Sequence, residues 1–221
     1  MKLVIFDVDG TLSDSQNHIV AAMTQGIEAA GLPLPSRSEM LSVVGLSLDE
    51  GMAQLLPDAP LSQRDMVVQG YRDAYRARRM LAVPPLYPGA AETLDRLAGR
   101  EDMLLGIATG KSRRGLDALC EHHGIGGYFF TRQVADDHPS KPHPAMVLAA
   151  LADAGVAARD AVMIGDTTYD IEMGRAAGVA TVGVNWGYHP VEALRSAGAD
   201  RLVDSFAALE AAVSELLEGR G

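Results

Sequence analysis

The sequence is poor in cysteine, in positive charge and in long apolar runs, and each shortage excludes a class of protein. Cys120 is the only cysteine, so no intrachain disulfide can form and a reducing compartment is favoured. The net charge of −10 disfavours nucleic acid and anionic membranes as main partners. The apolar run near the N-terminus is broken by Asp7 and is too short for a signal peptide or a membrane span. We therefore expect a cytoplasmic protein that binds neither nucleic acid nor membrane.

Apolar residues make up 48% of the 221 residues and charged residues 22%, which is the balance of an ordinary globular protein. The length fits one large domain, or one domain that carries an insertion. Residues 14–84 show helical periods and no convincing strand. Within them, residues 47–50 and 62–65 have the form of capping boxes, which predicts that a third and a fourth helix begin there. We interpret residues 14–84 as a helical insert.

Residues 1–13 and 85–221 instead alternate between short apolar runs and helical periods. Strands are predicted at residues 3–6, 103–108, 128–130, 161–164 and 180–184. Such alternation gives a parallel sheet with helices on both faces. The predicted fold is therefore α/β, with a doubly wound, Rossmann-like parallel-sheet core domain and an inserted α-helical domain.

Two carboxylates follow the first predicted strand. Strand residues two apart point to the same side, so Asp7 and Asp9 can face the same space. Carboxylates this close repel each other at an apolar strand end, and a divalent cation is the simplest relief. Ligands collect at the carboxyl ends of strands in such sheets, so polar residues after other strands should converge on the pair. Those residues are the segment Thr109-Gly110-Lys111-Ser112, Lys141, and residues Asp166 to Asp170.

Taken in order, these motifs closely resemble the haloacid dehalogenase-like phosphatase superfamily. They are Asp7-Val8-Asp9-Gly10-Thr11, Thr109 after a strand, Lys141-Pro142 and Gly165-Asp166-Thr167-Thr168-Tyr169-Asp170. The helical insert resembles the type 1 cap of that superfamily, so the resemblance covers nearly the whole chain. Three further segments look most like phosphoglycolate phosphatases and their close relatives, namely Tyr87-Pro88-Gly89, Lys141-Pro142-His143-Pro144 and Asn185-Trp186-Gly187-Tyr188.

The resemblance implies a role for each core residue. Asp7 would be the nucleophile that forms an aspartyl-phosphate, and Asp9 would protonate the leaving oxygen and later deprotonate water. Thr109 and the Gly110 amide would bind phosphate oxygens, and Lys141 would offset the charge of phosphate and nucleophile.

The resemblance also implies a magnesium site and a specificity loop. Asp166, the Asp7 carboxylate and the Asp9 backbone carbonyl would hold Mg²⁺, and Asp170 would orient metal-bound water or Lys141 from behind. In the cap, the turn that contains Gly45 and Leu46 would close over the leaving group. The implied function is a Mg²⁺-dependent phosphatase acting on a small phosphorylated metabolite, with 2-phosphoglycolate as a candidate.

Several alternatives stay open or are disfavoured. A phosphosugar mutase and a pyrophosphatase of the same superfamily are alternatives, and both monomer and homodimer fit. A signalling receiver domain is disfavoured, because its acceptor aspartate follows a middle strand and it has no room for the insert. A haloacid dehalogenase would not need an acid-base carboxylate at Asp9. Phosphonate cleavage usually requires a cap lysine, and residues 3–110 contain no lysine.

Three other patterns are interpreted as ordinary structure. Residues 106–112 are one residue too short for a nucleotide-binding P-loop, so Lys111 within them receives no role. Residues 120–123 combine cysteine, glutamate and histidine, but adjacent helical residues point in different directions, which disfavours a metal site. Arg72, Arg76 and Arg79 share one helix face, and a solvated face is favoured over contact with an anionic ligand.

Overall fold

A six-stranded parallel sheet forms the centre of the structure, a computed structural model that describes residues 1–218. Its strands are β1 Lys2–Phe6, β2 Met103–Thr109, β3 Phe129–Val134, β4 Ala161–Gly165, β5 Ala180–Val184 and β6 Arg201–Val203. They lie in the order β3-β2-β1-β4-β5-β6, and every neighbouring pair is parallel. The chain thus passes from β1 to β2 on one flank and later to β4 on the other. The topological switch point, where ligands bind in such sheets, falls at the carboxyl end of β1.

The helices of the described chain divide into two groups. Between β1 and β2 lie α1 Gln16–Ala29, α2 Arg37–Ser42, α3 Leu48–Leu55, α4 Leu61–Leu81 and α5 Ala90–Ala98. The others are α6 Arg113–His123, α7 Ala145–Ala154, α8 Thr168–Ala176, α9 Val191–Ala197 and α10 Phe206–Glu218. Helices α1 to α4 form the insert, whereas α5 packs on the sheet together with α10. Within residues 1–218, every helix is too short or too polar to cross a bilayer.

The central strand β1 is buried on both faces, which explains its unbroken apolar sequence. Val4 and Phe6 join the core on one side of the sheet, and Leu3 and Ile5 join the core on the other. All four side chains are fully buried. The sheet is therefore enclosed by helices on both sides, as the predicted α/β fold requires.

The insert has its own apolar core, built mainly between α1 and α4. These two helices approach most closely at Gly26 and Gly70, where a Cβ on Gly26 would lie 2.6 Å from the Val67 carbonyl oxygen. Side chains at these positions would force the helices apart. The insert joins the core where Ser13 forms a β-bridge with Leu86, so the chain enters and leaves at one place. The domain boundaries at residues 13/14 and 84/85 stay a prediction.

The α/β fold class is confirmed, and several local predictions need correction. Strand β3 runs to Val134, beyond the predicted residues 128–130. Helix α9, strand β6 and helix α10 were not predicted. Strand β6 gives a weak signal because it is only three residues long and lies at the sheet edge. Helix α10 has a regular buried face that packs on the core, and the prediction missed it.

Both predicted capping boxes are wrong. Ser47 does precede α3, but its side chain forms no capping hydrogen bond, and its backbone N–H donates to Ser140 Oγ at 2.8 Å instead of to Glu50. Helix α4 begins at Leu61 after Pro60, whose fixed φ suits a helix start, so Ser62 lies inside the helix. Capping boxes form instead at residues 36–39 and 167–170.

We expect Leu94→Ala to lower the free energy of unfolding by about 2–5 kcal/mol, because Leu94 is fully buried in the core beneath the sheet and the truncation leaves a cavity. The measurement is urea denaturation followed by circular dichroism. Leu148→Ala is the matched control, since Leu148 is 48% exposed on α7 and its loss should stay within about 0.5 kcal/mol. Equal losses in both variants would contradict the described packing.

Candidate active site

The Asp7 carboxylate lies buried at the end of β1. Its backbone N–H continues the pairing with β4 by donating to the Ile164 carbonyl at 2.9 Å, which fixes the residue at the switch point. Oδ1 lies 2.8 Å from Nζ of Lys141, but neither carboxylate oxygen accepts a well-aligned hydrogen bond from residues 1–218. Burial raises the pKa of Asp7 to about 7. The attraction of Lys141 opposes this rise, and the repulsion of Asp170 adds to it.

Lys141 joins two of the carboxylates from the loop before α7. Its side chain is fully buried, and Nζ lies 2.6 Å from Oδ1 of Asp170 and 2.8 Å from Oδ1 of Asp7. Burial lowers the pKa of Lys141, but the attraction of Asp170 and Asp7 outweighs it and raises the pKa above its usual range. Lys141 is therefore a protonated ammonium between two carboxylates.

Asp170 is held in the first turn of α8. Its Oδ2 accepts hydrogen bonds from the backbone N–H and the hydroxyl of Thr167, at 3.1 and 2.7 Å. The strand before it ends in Gly165, where any Cβ would overlap the Asp170 side chain. The structure thus places Asp170 against Lys141, and both of its oxygens are engaged by protein groups.

Asp166 is fully buried in a cradle of glycines. Oδ1 accepts from the Thr11 hydroxyl at 2.8 Å, and Oδ2 accepts from the Tyr188 backbone N–H at 2.9 Å. A Cβ on Gly10 or Gly187 would overlap the Asp166 carboxylate or its Cβ, so both positions require glycine. Burial raises the pKa of Asp166 well above its usual range, with further contributions from the negative charges nearby.

Asp7, Asp166 and Asp170 form a cluster that fits a metal ion. One oxygen of each lies within 4.8 Å of the others, and a single lysine balances the three carboxylates. The unpartnered oxygens of Asp7 and the all-oxygen donor set suit a hard divalent cation. The cluster contains the two predicted carboxylate ligands, Asp7 and Asp166, and also Asp170, which was predicted to lie behind them. A role for Asp9 through its backbone carbonyl stays a prediction.

The Asp9 carboxylate is paired with a second lysine, which sequence reasoning missed. Nζ of Lys111 lies 2.7 and 2.8 Å from the two carboxylate oxygens, and the Ser15 hydroxyl donates to Oδ1 at 2.6 Å. The Lys111 side chain is only 7% exposed. One signal was present in the sequence: the chain contains three lysines, and Lys111 lies three residues after a predicted strand.

Lys111 also contacts the insert. Nζ lies 3.2 Å from the hydroxyl of Tyr75 on α4 and 5.1 Å from the centre of its ring, which stacks on Tyr71. Burial lowers the pKa of Lys111, but the attraction of Asp9 and of the two tyrosines outweighs it and raises the pKa above its usual range. The ammonium thus joins Asp9 of the core to the helical insert.

Thr109 and Gly110 lie where the insert touches the sheet. Thr109 is buried at the end of β2, and its hydroxyl accepts a hydrogen bond from the Lys111 backbone N–H at 3.2 Å. A Cβ on Gly110 would lie 2.5 Å from the carbonyl oxygens of both Gly45 and Leu46. The two predicted specificity residues of the insert therefore sit directly on the predicted phosphate loop. The insert is closed over the site as a cap.

A second seam fastens the cap to the core near α8. The Ser42 carbonyl at the end of α2 accepts from the Tyr169 hydroxyl at 3.1 Å and lies 3.1 Å from Nε2 of His189. Because Nδ1 of His189 accepts from the Thr168 N–H at 3.1 Å, Nε2 is the nitrogen that carries the proton. Burial lowers the pKa of His189, so the imidazole ring that makes these two contacts is neutral.

A cavity of about 380 Å³ lies between cap and core. Asp7 and Asp9 lie on its floor, and the Thr109–Ser112 segment forms one wall. Its size suits a small phosphate ester. Arg72, Arg76 and Arg79 also line it, so the arginine face borders the site and is not simply a solvated face. Lys141, Asp166 and Asp170 lie behind the floor.

Strand order, the carboxylate cluster at the switch point and the closed helical cap define a class: enzymes that bind a small anionic ligand and a metal ion beneath a cap. The model of the haloacid dehalogenase-like hydrolase family matches residues 4–184. The chain belongs to this family.

Relatives and solved structures agree along nearly the whole chain. "Probable phosphatase IndB" of Dickeya dadantii is 36% identical, over 98% of this chain and 95% of that protein. The phosphoglycolate phosphatase of Vibrio parahaemolyticus is 29% identical, over 99% and 95%. "Pyrophosphatase PpaX" of Bacillus pumilus is 33% identical, over 88% of each. The crystal structure of a hydrolase from Pseudomonas syringae matches with a TM-score of 0.86 at 25% identity, over 97% of this chain and 99% of that one. Because its relatives along nearly the whole chain are named as phosphatases, the protein is a phosphatase, and it resembles phosphoglycolate phosphatases.

We expect Mg²⁺ to raise the melting temperature of the protein and Asp166→Asn to abolish that rise, because a cation relieves the repulsion among the buried carboxylates. At about 100 times its Kd, the ion should add about 2.7 kcal/mol of stability. Without metal at pH 8, the variant should be at least as stable as the wild type. A carboxylate whose pKa is raised by folding destabilises the folded state once the pH rises above its normal pKa.

The measurement is thermal denaturation with and without Mg²⁺. Asp58→Asn is the control, since Asp58 is exposed and far along the chain from the cluster, and it should keep the full rise. An equal rise in Asp166→Asn would show that the ion binds elsewhere.

Proposed function

We propose that the protein is a Mg²⁺-dependent phosphomonoesterase that works through an aspartyl-phosphate on Asp7. The observation that carries this proposal is the position of Asp7. Its carboxylate ends the central strand, borders the cavity and has two oxygens without a well-aligned hydrogen bond. A carboxylate in that state is available to attack phosphorus.

In the first half-reaction, an Asp7 oxygen forms a bond to phosphorus while the bond from phosphorus to the leaving oxygen breaks. Asp9 gives its proton to the leaving oxygen. In the second half-reaction, Asp9 takes a proton from water as the water oxygen attacks phosphorus, which releases phosphate and restores the Asp7 carboxylate. The first half-reaction leaves Asp9 as the carboxylate that the second one needs. The second half-reaction leaves Asp9 protonated and Asp7 free for the next substrate.

The pair of Lys141 with Asp7 supports the role of Asp7 as the nucleophile. Lys141 lies beside Asp7 and is positively charged, so it can offset the charge that builds up on the phosphoryl oxygens. Thr109 and Gly110 line the same cavity from the end of β2. Asp9 is paired with Lys111 and borders the cavity where a leaving group would lie.

The residues that would hold Mg²⁺ are Asp7 and Asp166, with the Asp9 backbone carbonyl, while Asp170 fixes Lys141. When bound, the ion supplies positive charge that screens the phosphoryl oxygens from the Asp7 carboxylate. Thr11 and the Tyr188 N–H orient Asp166 for this role.

The substrate that the cavity and the relatives support best is a small phosphorylated metabolite in the cytoplasm, with 2-phosphoglycolate as the first candidate. The cavity volume of about 380 Å³ favours a small ester over a polymer. A relative named phosphoglycolate phosphatase matches almost end to end. Pyrophosphate is the second candidate, since a relative named as a pyrophosphatase is 33% identical.

We expect Asp7→Asn to lower kcat by at least about a thousandfold, because the amide cannot form an acyl-phosphate. Phosphate release from a chromogenic aryl phosphate measures the loss, and acid quenching with labelled substrate should trap phosphoenzyme in the wild type only. The exposed Asp58→Asn variant is the control and should keep wild-type turnover. Near-normal turnover of Asp7→Asn would refute the nucleophile.

A phosphate-release screen with Mg²⁺ should rank 2-phosphoglycolate at least about tenfold above sugar phosphates, nucleoside monophosphates and pyrophosphate in kcat/KM, which is about 1.4 kcal/mol. A smaller margin would remove that substrate assignment and leave the phosphatase class in place. Isomerised sugar phosphate with little free phosphate would instead identify a mutase.

A further inference from the structure

The part of the cavity away from the catalytic carboxylates is lined by an excess of positive charge. Apart from Asp7 and Asp9, its only acidic lining residues within the described chain are Asp49 and Asp136. Its cationic lining residues are Arg72, Arg76, Arg79, Lys111 and Arg114. Lys111 is paired with Asp9, which leaves four arginines against Asp49 and Asp136. In a chain with a net charge of −10, this is a local reversal of sign.

The protein itself neutralises these arginines weakly. Arg72 lies 3.6 Å from Asp49, but both side chains are about half exposed or more, so the pair is screened by water. Nη1 of Arg79 donates to the Arg114 carbonyl oxygen, and within residues 1–218 neither of these two arginines forms an ion pair with a carboxylate. The arginines of the cavity wall can therefore pair with a ligand that carries negative charge.

Lys111 is the buried member of this set and the one nearest the proposed chemistry. Its ammonium lies within hydrogen-bond distance of both Asp9 oxygens and of the Tyr75 hydroxyl. A buried ammonium needs a negative partner, and in the closed cap Asp9 fills that role. The same pairing directs the Asp9 carboxylate toward the lysine and away from a leaving oxygen.

We propose that Lys111 is a specificity-determining residue that binds a second anionic group, carboxylate or phosphate, on the leaving group of the substrate. Such a group replaces Asp9 at Nζ, so that Asp9 loses its cation, takes up a proton from water and reaches the leaving oxygen as the carboxylic acid that donates to it. Tyr75 stays in contact with the ammonium throughout and holds it at the cavity wall. An ester with an uncharged leaving group leaves Lys111 bound to Asp9 and reacts slowly. This inference rests on the proposed phosphatase function.

The test compares matched esters that differ only in the second charge. One pair is 2-phosphoglycolate and 2-hydroxyethyl phosphate, in which a hydroxymethyl group replaces the carboxylate. A second pair is a sugar bisphosphate and the corresponding monophosphate, which separates a carboxylate from a phosphate as the recognised group. We expect wild-type kcat/KM to favour the charged member of at least one pair by about tenfold or more.

Lys111→Met should reduce that ratio by about tenfold or more, and Lys111→Arg should restore part of it because the charge returns. Lys2→Met is the matched control. Lys2 lies at the start of β1, at the opposite end of the strand from the site, where it pairs with Asp102, so the variant should keep the wild-type ratio. A merely structural role for Lys111 would slow both members of a pair equally and leave the ratio unchanged.

The outcomes separate this inference from the function on which it rests. If wild-type enzyme hydrolyses an aryl phosphate with Mg²⁺ but treats both members of each pair alike, the inference is overturned and the phosphatase stands. An unchanged ratio in Lys111→Met that keeps the wild-type melting temperature overturns it as well. If Lys111→Met does not fold, Lys111→Gln takes its place, and the same comparison with the wild-type ratio is made. No Mg²⁺-dependent hydrolysis of any ester overturns both.

Discussion

The arrangement of the site depends on one electrostatic imbalance: four buried carboxylates share two buried lysines at the carboxyl end of β1. Asp7 and Asp170 share Lys141, and Asp9 has Lys111 to itself. Within residues 1–218, Asp166 has hydrogen bonds but no cation. Because burying unpaired charge is costly, the excess is met by hydrogen-bond donors and by raised pKa values, and the carboxylate cluster could hold a metal ion that meets the rest. This crowding also explains the glycines at residues 10, 165 and 187, because a side chain at any of them would overlap one of the buried aspartates.

The cap belongs to the same electrostatic system. Tyr75 of α4 contacts the ammonium of Lys111, which is paired with Asp9. The cap therefore supplies one of the contacts of this ion pair. The Gly45–Leu46 backbone lies on Gly110 at the other side of the cavity. In the closed cap, Tyr75 and the Gly45–Leu46 backbone thus lie against the two segments that border the proposed acid-base residue and the phosphate loop.

The sequence predicted the sheet and most of the site because these features leave strong local signals. β1 is continuously apolar since it is buried on both faces, and its end is marked by Asp7 and Asp9 two residues apart. The pairing of Lys111 with Asp9 leaves no such signal. It joins residues 102 positions apart in the chain, and the choice among nearby cations is settled by how the cap packs. The failed capping box at Ser47 has a similar cause, because a distant group, Ser140, takes the N–H that the local pattern reserves for Glu50. Local patterns fail where a long-range contact competes for the same donor.

The charge distribution also bears on how an anionic substrate reaches an acidic protein. A net charge of −10 repels small anions at long range, but repulsion between exposed charges is screened within about 8 Å at physiological salt. Inside the cavity, screening is weaker and the nearby charges dominate. There the arginines of α4 and Lys111 present positive charge above a floor of carboxylates. A substrate with negative charge at both ends would meet cations on the wall, while its phosphate would meet Lys141 and a metal ion at the floor. If the proposed substrate binds in this way, these two positive regions would orient it before any bond changes.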